Sequence, residues 1–151
     1  MAKTAENIAG PSCNQVAALP WRREEDGTIS VLLVTSRTNA KWMLPKGWPM
    51  PGKTDAEAAH QEAKEEAGID GTVSATPLGS YHFLKLFDDG STKPAQAIIY
   101  SLQVANQHSK WREKGQRKRR LFTPLEASKA AFEPDLARFL KGLADGRVVL
   151  F

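Results

Sequence analysis

The sequence predicts an α/β (α+β) fold, a central mixed β-sheet with helices packed on its faces. Three observations predict it: strand-like segments precede and follow one strongly capped helix, two further helix signals close the chain, and no repeat or low-complexity stretch interrupts that order. At 151 residues, 41% hydrophobic and 25% charged, the chain has the proportions of one globular domain. We place that domain at residues 13–151, behind a disordered polar tail at 1–12. The start, "MAKTAENIAGPSC", has no apolar core of signal-peptide length, and nowhere do about 18 apolar residues run together. The expected compartment is therefore the cytoplasm, with no membrane partner. A lone Cys13 excludes an internal disulfide, argues against a thiolate zinc site, and is read as structurally incidental.

"QVAALPWR" (15–22) and "TISVLLVTSR" (28–37) read as strands joined across "REEDG", whose Asp26-Gly27 is a hairpin turn signal. "KWMLP" is a short strand that Pro45 must end, and "KGWPMPGK" (46–53), rich in Gly and Pro, reads as a loop. Thr54 then caps a helix. Glu57, three residues on, completes a capping box, and Gly68 stands where a helix C-terminus favours a left-handed residue. Ala56, Ala59, Ala63 and Ala67 recur at spacings of three and four, a side that can approach a sheet closely. "LGSYHFLKLF" and "KPAQAIIYSLQVA" read as long strands around the turn "DDGST", and "RLF" as a short one. Thr123, Pro124 and Glu126 open a second capped helix. A last helix at about 134–143 shows Leu136, Phe139, Leu140 and Leu143 on one face.

Charge is unevenly placed. "SKWREKGQRKRR" (109–120) carries seven cations against Glu113, a local +6, which leaves −2 for the rest of a chain whose net charge is +4. The segment reads either as a polyanion contact or as a solvated loop.

The capped helix poses a problem of its own. In "TDAEAAHQEAKEEAGID" (54–70), Glu62, Glu65 and Glu66 fall within one turn, with Lys64 interleaved. Like charges at such spacings cost a helix about 0.2–0.5 kcal/mol per pair. A cluster of hard oxygen donors repays that cost if it binds Mg²⁺ or Mn²⁺ and bridges the ion to phosphates. The alternative is a solvated acidic face laced by Lys64.

"EEAGI" lies at a fixed distance after "LPKGW", and together they resemble the Nudix hydrolase box, G-x5-E-x7-R-E-U-x-E-E-x-G-U with U aliphatic. Gly47, Glu62, Ala63, Glu65, Glu66, Gly68 and Ile69 fall in register over its 23 positions. "VLLVTSR", "WMLPKGW" and "RKRRLFTPLEA" are similar to the diphosphoinositol and dinucleoside polyphosphate hydrolase branch. Two positions depart: Lys53 stands in place of the first box glutamate and Gln61 in place of the arginine. In the family these two help to position the metal-binding carboxylates. Here they read as a paired change that lowers catalytic efficiency and leaves the metal carboxylates intact.

The resemblance implies an α/β/α sandwich and Mg²⁺- or Mn²⁺-dependent hydrolysis of a phosphoanhydride bond in a highly phosphorylated small molecule. Glu62 and Glu66 become the main metal ligands, with Glu65 and the Gly47 carbonyl beside them. The general base stays open between Glu65 and a carboxylate outside the box such as Glu113. Arg22, Arg37, Lys46, Arg117 and Arg119 become the phosphate-gripping cations. Trp48, in the loop after Gly47, becomes a candidate for stacking on or covering the substrate. His60, His82 and His108 show no ligand spacing. Two rival functions remain: a Nudix-like nucleotide-binding module with decayed catalysis, and an RNA 5′-end pyrophosphohydrolase using the +6 segment. Either a monomer or a homodimer is compatible with the sequence.

Overall fold

A computed structural model describes residues 13–151, so the expected disordered tail at 1–12 lies outside the described residues. The chain runs β1 (Cys13–Arg23), β2 (Ile29–Thr35), β3 (Trp42–Met43), β4 (Lys46–Gly47), α1 (Asp55–Ala67), β5 (Ile69–Val73), β6 (Gly79–Leu86), β7 (Thr92–Gln107), β8 (Arg119–Phe122), α2 (Pro124–Ala130) and α3 (Pro134–Ala144). The sheet is mixed, as the sequence predicts. β1 and β7 run parallel at its centre, and every other pairing is antiparallel. From the centre, β1 extends the sheet through β2 to β3, with β8 also on β2 and β4 on β1, while the long β7 carries β6 along its first half and β5 along its second.

β1 is buried from Gln15 to Trp21, so its alternating side chains feed two cores. On one face Ala17, Leu19 and Trp21 meet Leu33, Ile99, Phe122, Ala127, Leu136 and Leu140, the side covered by α2 and α3. On the other Val16 and Ala18 meet Leu32, Val34, Leu102 and the alanines of α1. This is an α/β/α sandwich. Ala56, Ala58, Ala59, Ala63 and Ala67 are all buried, and their small side chains let the helix axis lie close on the sheet.

Both capping boxes form as expected, at Thr54/Glu57 and Thr123/Glu126. Gly68 is left-handed at φ 67°, which favours glycine. Two segments correct the sequence reading. Lys46–Gly47 is a strand rather than loop, because it pairs with Val16 and Ala17 of β1. Ile69–Val73, not expected as a strand, pairs with the end of β7 across an irregularity at Asp70/Gly71; its Asp and Gly are poor strand formers, and the non-local ladder supplies what propensity lacks. Among the described residues no helix is long and apolar enough to cross a membrane.

Candidate active site

A cleft of about 260 Å³ opens where β4, α1 and the tip of β6 meet the segment before β8, lined among others by Gly47, Glu62, Glu66, Arg37, Lys85, Glu113 and Arg117. α1 delivers the first two carboxyls. Glu66 is 5% exposed, and Lys46 N–H donates to its Oε1 at 3.3 Å. Burial pushes its pKa up to about 8 against the pull of Arg117, and Glu66 keeps a proton that it shares with Glu62. Burial also raises Glu62. Two carboxyls pressed together away from water resist ionising together.

Gly47 explains how they fit. A Cβ built there would lie 2.5 and 2.7 Å from the carboxylate oxygens of Glu62, so only glycine lets the strand run directly beneath that group. Gly47→Ala is expected to push the flexible end of Glu62 aside with little loss of fold. Mn²⁺ affinity should fall about 10-fold or more, the scale of misplacing a ligand. Calorimetric titration together with a thermal melt checks this; unchanged affinity would mean that Glu62 is not held for an ion.

The third box glutamate faces elsewhere. Glu65 accepts from Gln61 Nε2 at 2.6 Å and pairs with Arg112 at 3.3 Å, and it does not line the cleft. Lys53 lies near Glu57 instead, so the two departures from the box share no partner among the described interactions, and no compensated pair forms. Among the described residues no three acidic, His or Cys side chains converge into a ready-made ligand set. Glu62 and Glu66 nevertheless fit Mg²⁺ chemistry, in which one or two carboxylates hold the ion and substrate phosphates complete its shell.

The expected cations sort into those already engaged and those available. Arg22 pairs with Glu24 near the β1–β2 turn, away from the cleft. Arg119 donates to the Ala67 carbonyl at 2.8 Å and stacks over Trp111, capping α1. Lys46 lines the cleft but is 8% exposed. Its ammonium sits 3.3 Å from Glu133 Oε2 and over the Phe83 ring, and burial pulls its pKa down against the attraction of Glu133. Arg117 is held by Glu113, Thr35 and Glu66. Arg37 reaches only Gln116, at 3.4 Å. Lys85, which the sequence reading missed, lines the cleft with no ion pair among the described residues. Its one signal in the sequence is its place in the strand pattern, two residues after Phe83. Trp48 stands at the mouth, 46% exposed.

Against known proteins, the family model described as NUDIX domain matches residues 14–143. Nudix hydrolase 12, mitochondrial, of Arabidopsis thaliana is 30% identical over 79% of this chain, which spans 62% of that relative's length. Among solved structures, a Caenorhabditis elegans Ap4A hydrolase binary complex superposes with a TM-score of 0.65 at 21% identity, covering 89% of this chain and 96% of that one. The NUDIX domain of Shewanella oneidensis NrtR complexed with ADP ribose does so at 0.66 with 11% identity, over 94% and 91%. Likenesses at these identities establish the fold.

Proposed function

The chain belongs to the Nudix hydrolase family, and from that membership we propose that it is a Mg²⁺- or Mn²⁺-dependent pyrophosphohydrolase cleaving a phosphoanhydride bond in a highly phosphorylated small molecule, a dinucleoside polyphosphate or a diphosphoinositol polyphosphate. The observation that carries the proposal is the pairing of a buried Glu66 with a half-buried Glu62 in a cleft that cations also line. Glu62 and Glu66 would hold the ion, beside the Gly47 carbonyl. A bound divalent ion neutralises phosphate charge and makes water a better nucleophile.

The rest falls to side chains of this protein. Arg37 and Lys85, with charge to spare, bind phosphate oxygens, and Trp48 covers the mouth. Of the carboxylates named for the general base, Glu113 lines the cleft and Glu65 does not, so we assign that role to Glu113. The engagement of Arg117 and Arg119 inside the protein argues against a nucleic-acid contact built on them. The compartment proposed is the cytoplasm; the Arabidopsis relative carries a mitochondrial name, and cell fractionation decides between the two.

A substrate screen with Mg²⁺ and Mn²⁺ over dinucleoside polyphosphates, diphosphoinositol phosphates, nucleotide sugars and 5′-triphosphate RNA tests the reading. Metal-dependent phosphate release is the expected result. Saturable binding without turnover on any of them would favour the second reading, a binding module, to which Lys53 and Gln61 in the box lend support. With a substrate in hand, Lys85→Ala and Arg37→Ala should each raise KM about 10-fold while kcat stays within about 2-fold, the pattern of lost ground-state binding. Arg22→Ala should leave both unchanged. Equal effects of all three would mean that the cleft cations are not specific contacts.

A further inference from the structure

The seven cations of 109–120 look like an arm for grasping an anion, yet the segment is tied down along its length. The last carbonyls of α1 and its cap are accounted for in succession by it and the preceding His108: Glu113 N–H donates to Glu65 O at 3.0 Å, Trp111 Nε1–H to Glu66 O at 3.0 Å, Arg119 Nη1–H to Ala67 O at 2.8 Å and His108 N–H to Gly68 O at 2.8 Å. These are the orphan acceptors that every helix end leaves. A reciprocal pair, Thr35 N–H to Lys118 O at 3.0 Å and Lys118 N–H to Thr35 Oγ1 at 2.8 Å, fixes its far end to β2. So anchored, the segment sends Arg117 inward. Its side chain is 9% exposed, with Nε donating to Glu113 Oε1 at 2.8 Å, Nη1 donating to Thr35 O at 3.1 Å, and Nη2 lying 3.6 Å from Glu66 Oε2.

We infer that Arg117 is a built-in counter-ion: it balances the negative charge that Glu62, Glu66 and Glu113 hold between them while no divalent ion is bound, so that the site stays folded and open between turnovers. This rests on the metal-binding reading above. Three carboxyl groups, Glu62, Glu66 and Glu113, line one small cleft, and Arg117 is the arginine that touches two of them. Lys46, the other buried cation nearby, has its ammonium on Glu133. Leaving a buried carboxylate without its partner is strongly destabilising. A divalent ion bound among the same groups supplies the missing positive charge, and an ion that binds only the folded state adds stability in proportion to its occupancy. Arg117 is therefore a positioning residue, and its charge competes with the ion it prepares for.

Two opposite trends follow, and a purely packing role would not give the second. Thermal melts of the full chain at fixed pH, from metal-free buffer to saturating Mn²⁺, should show Arg117→Gln melting well below wild type without metal. Mn²⁺ should then raise its Tm more than that of wild type, closing at least half of the deficit. Arg117→Gln folding only in the presence of Mn²⁺ is the extreme form of the same result. Arg117→Lys, which keeps the charge and loses the fork, should show a smaller deficit that closes in the same way. Arg112→Ala, whose guanidinium pairs with Glu65 outside the cleft, should follow wild type throughout. If Mn²⁺ raises wild type but leaves the Arg117→Gln and Arg117→Lys deficits undiminished, the counter-ion role is overturned and the metal site stands. If Mn²⁺ moves none of the four proteins, the metal-binding reading fails and takes the inference with it.

Discussion

Replacing Glu66 with Gln is expected to lower kcat about 10²-fold or more, equivalent to at least about 2.7 kcal/mol of transition-state stabilisation, and Glu62→Gln to do nearly the same. Gln keeps the shape and one carbonyl oxygen but removes the charge that holds a divalent ion beside the phosphates. The electrostatics of the site make the loss one of function rather than of fold. Glu66 is buried and Glu62 half-buried, so ionisation is costly there: burial raises both groups, and Glu66 reaches about 8. Removing one carboxyl relieves that cost, so the metal-free variants should melt close to wild type, the familiar trade of stability for activity. Glu65→Gln should be much milder, because its carboxylate is turned to Gln61 and Arg112. Steady-state kinetics on the substrate from the screen, beside metal-free melts, give the comparison. More than half of wild-type kcat in both Glu62→Gln and Glu66→Gln would place the chemistry elsewhere.

The second large effect is one of pH. Glu66 is protonated in the folded protein up to about pH 8, whereas its ordinary value is 4.5. Because the folded state binds this proton more tightly than the unfolded chain, the protonated group favours folding. That contribution is complete below pH 4.5 and is lost as pH rises through about 8. The metal-free protein should therefore lose stability over that window. Metal binding must expel the same proton, so Mn²⁺ affinity should move the opposite way, rising about tenfold per pH unit, or about 10²-fold from pH 6 to 8, before levelling off. Calorimetry in buffers of different ionisation enthalpy should report close to one proton released per ion at pH 6 and fewer above pH 8. Affinity independent of pH would mean that the ion does not displace the Glu66 proton.

What the sequence determined by itself was what local chemistry and periodicity encode. The capping boxes at Thr54/Glu57 and Thr123/Glu126, the left-handed Gly68 and the alanine face of α1 depend on neighbours three or four residues away, and all stand in the structure as read. The spacing of Gly47 from Glu62 was legible as well, as a fixed interval in the sequence, although the strand that carries Gly47 was not. Tertiary structure alone decided which charges are available. Lys46 meets Glu133 across 87 residues, and Arg117 meets Thr35 across 82. Glu65, in the same turn as Glu62 and Glu66, turns away to Gln61 and Arg112, the latter 47 residues on. Lys85 lines the cleft and has no ion pair among the described residues, which its position in the sequence does not reveal. A cation's type is written at its own position, but whether its charge is free to meet a substrate is set by partners that the chain brings together from far apart, and burial then magnifies each such pairing by stripping away the water that would have screened it.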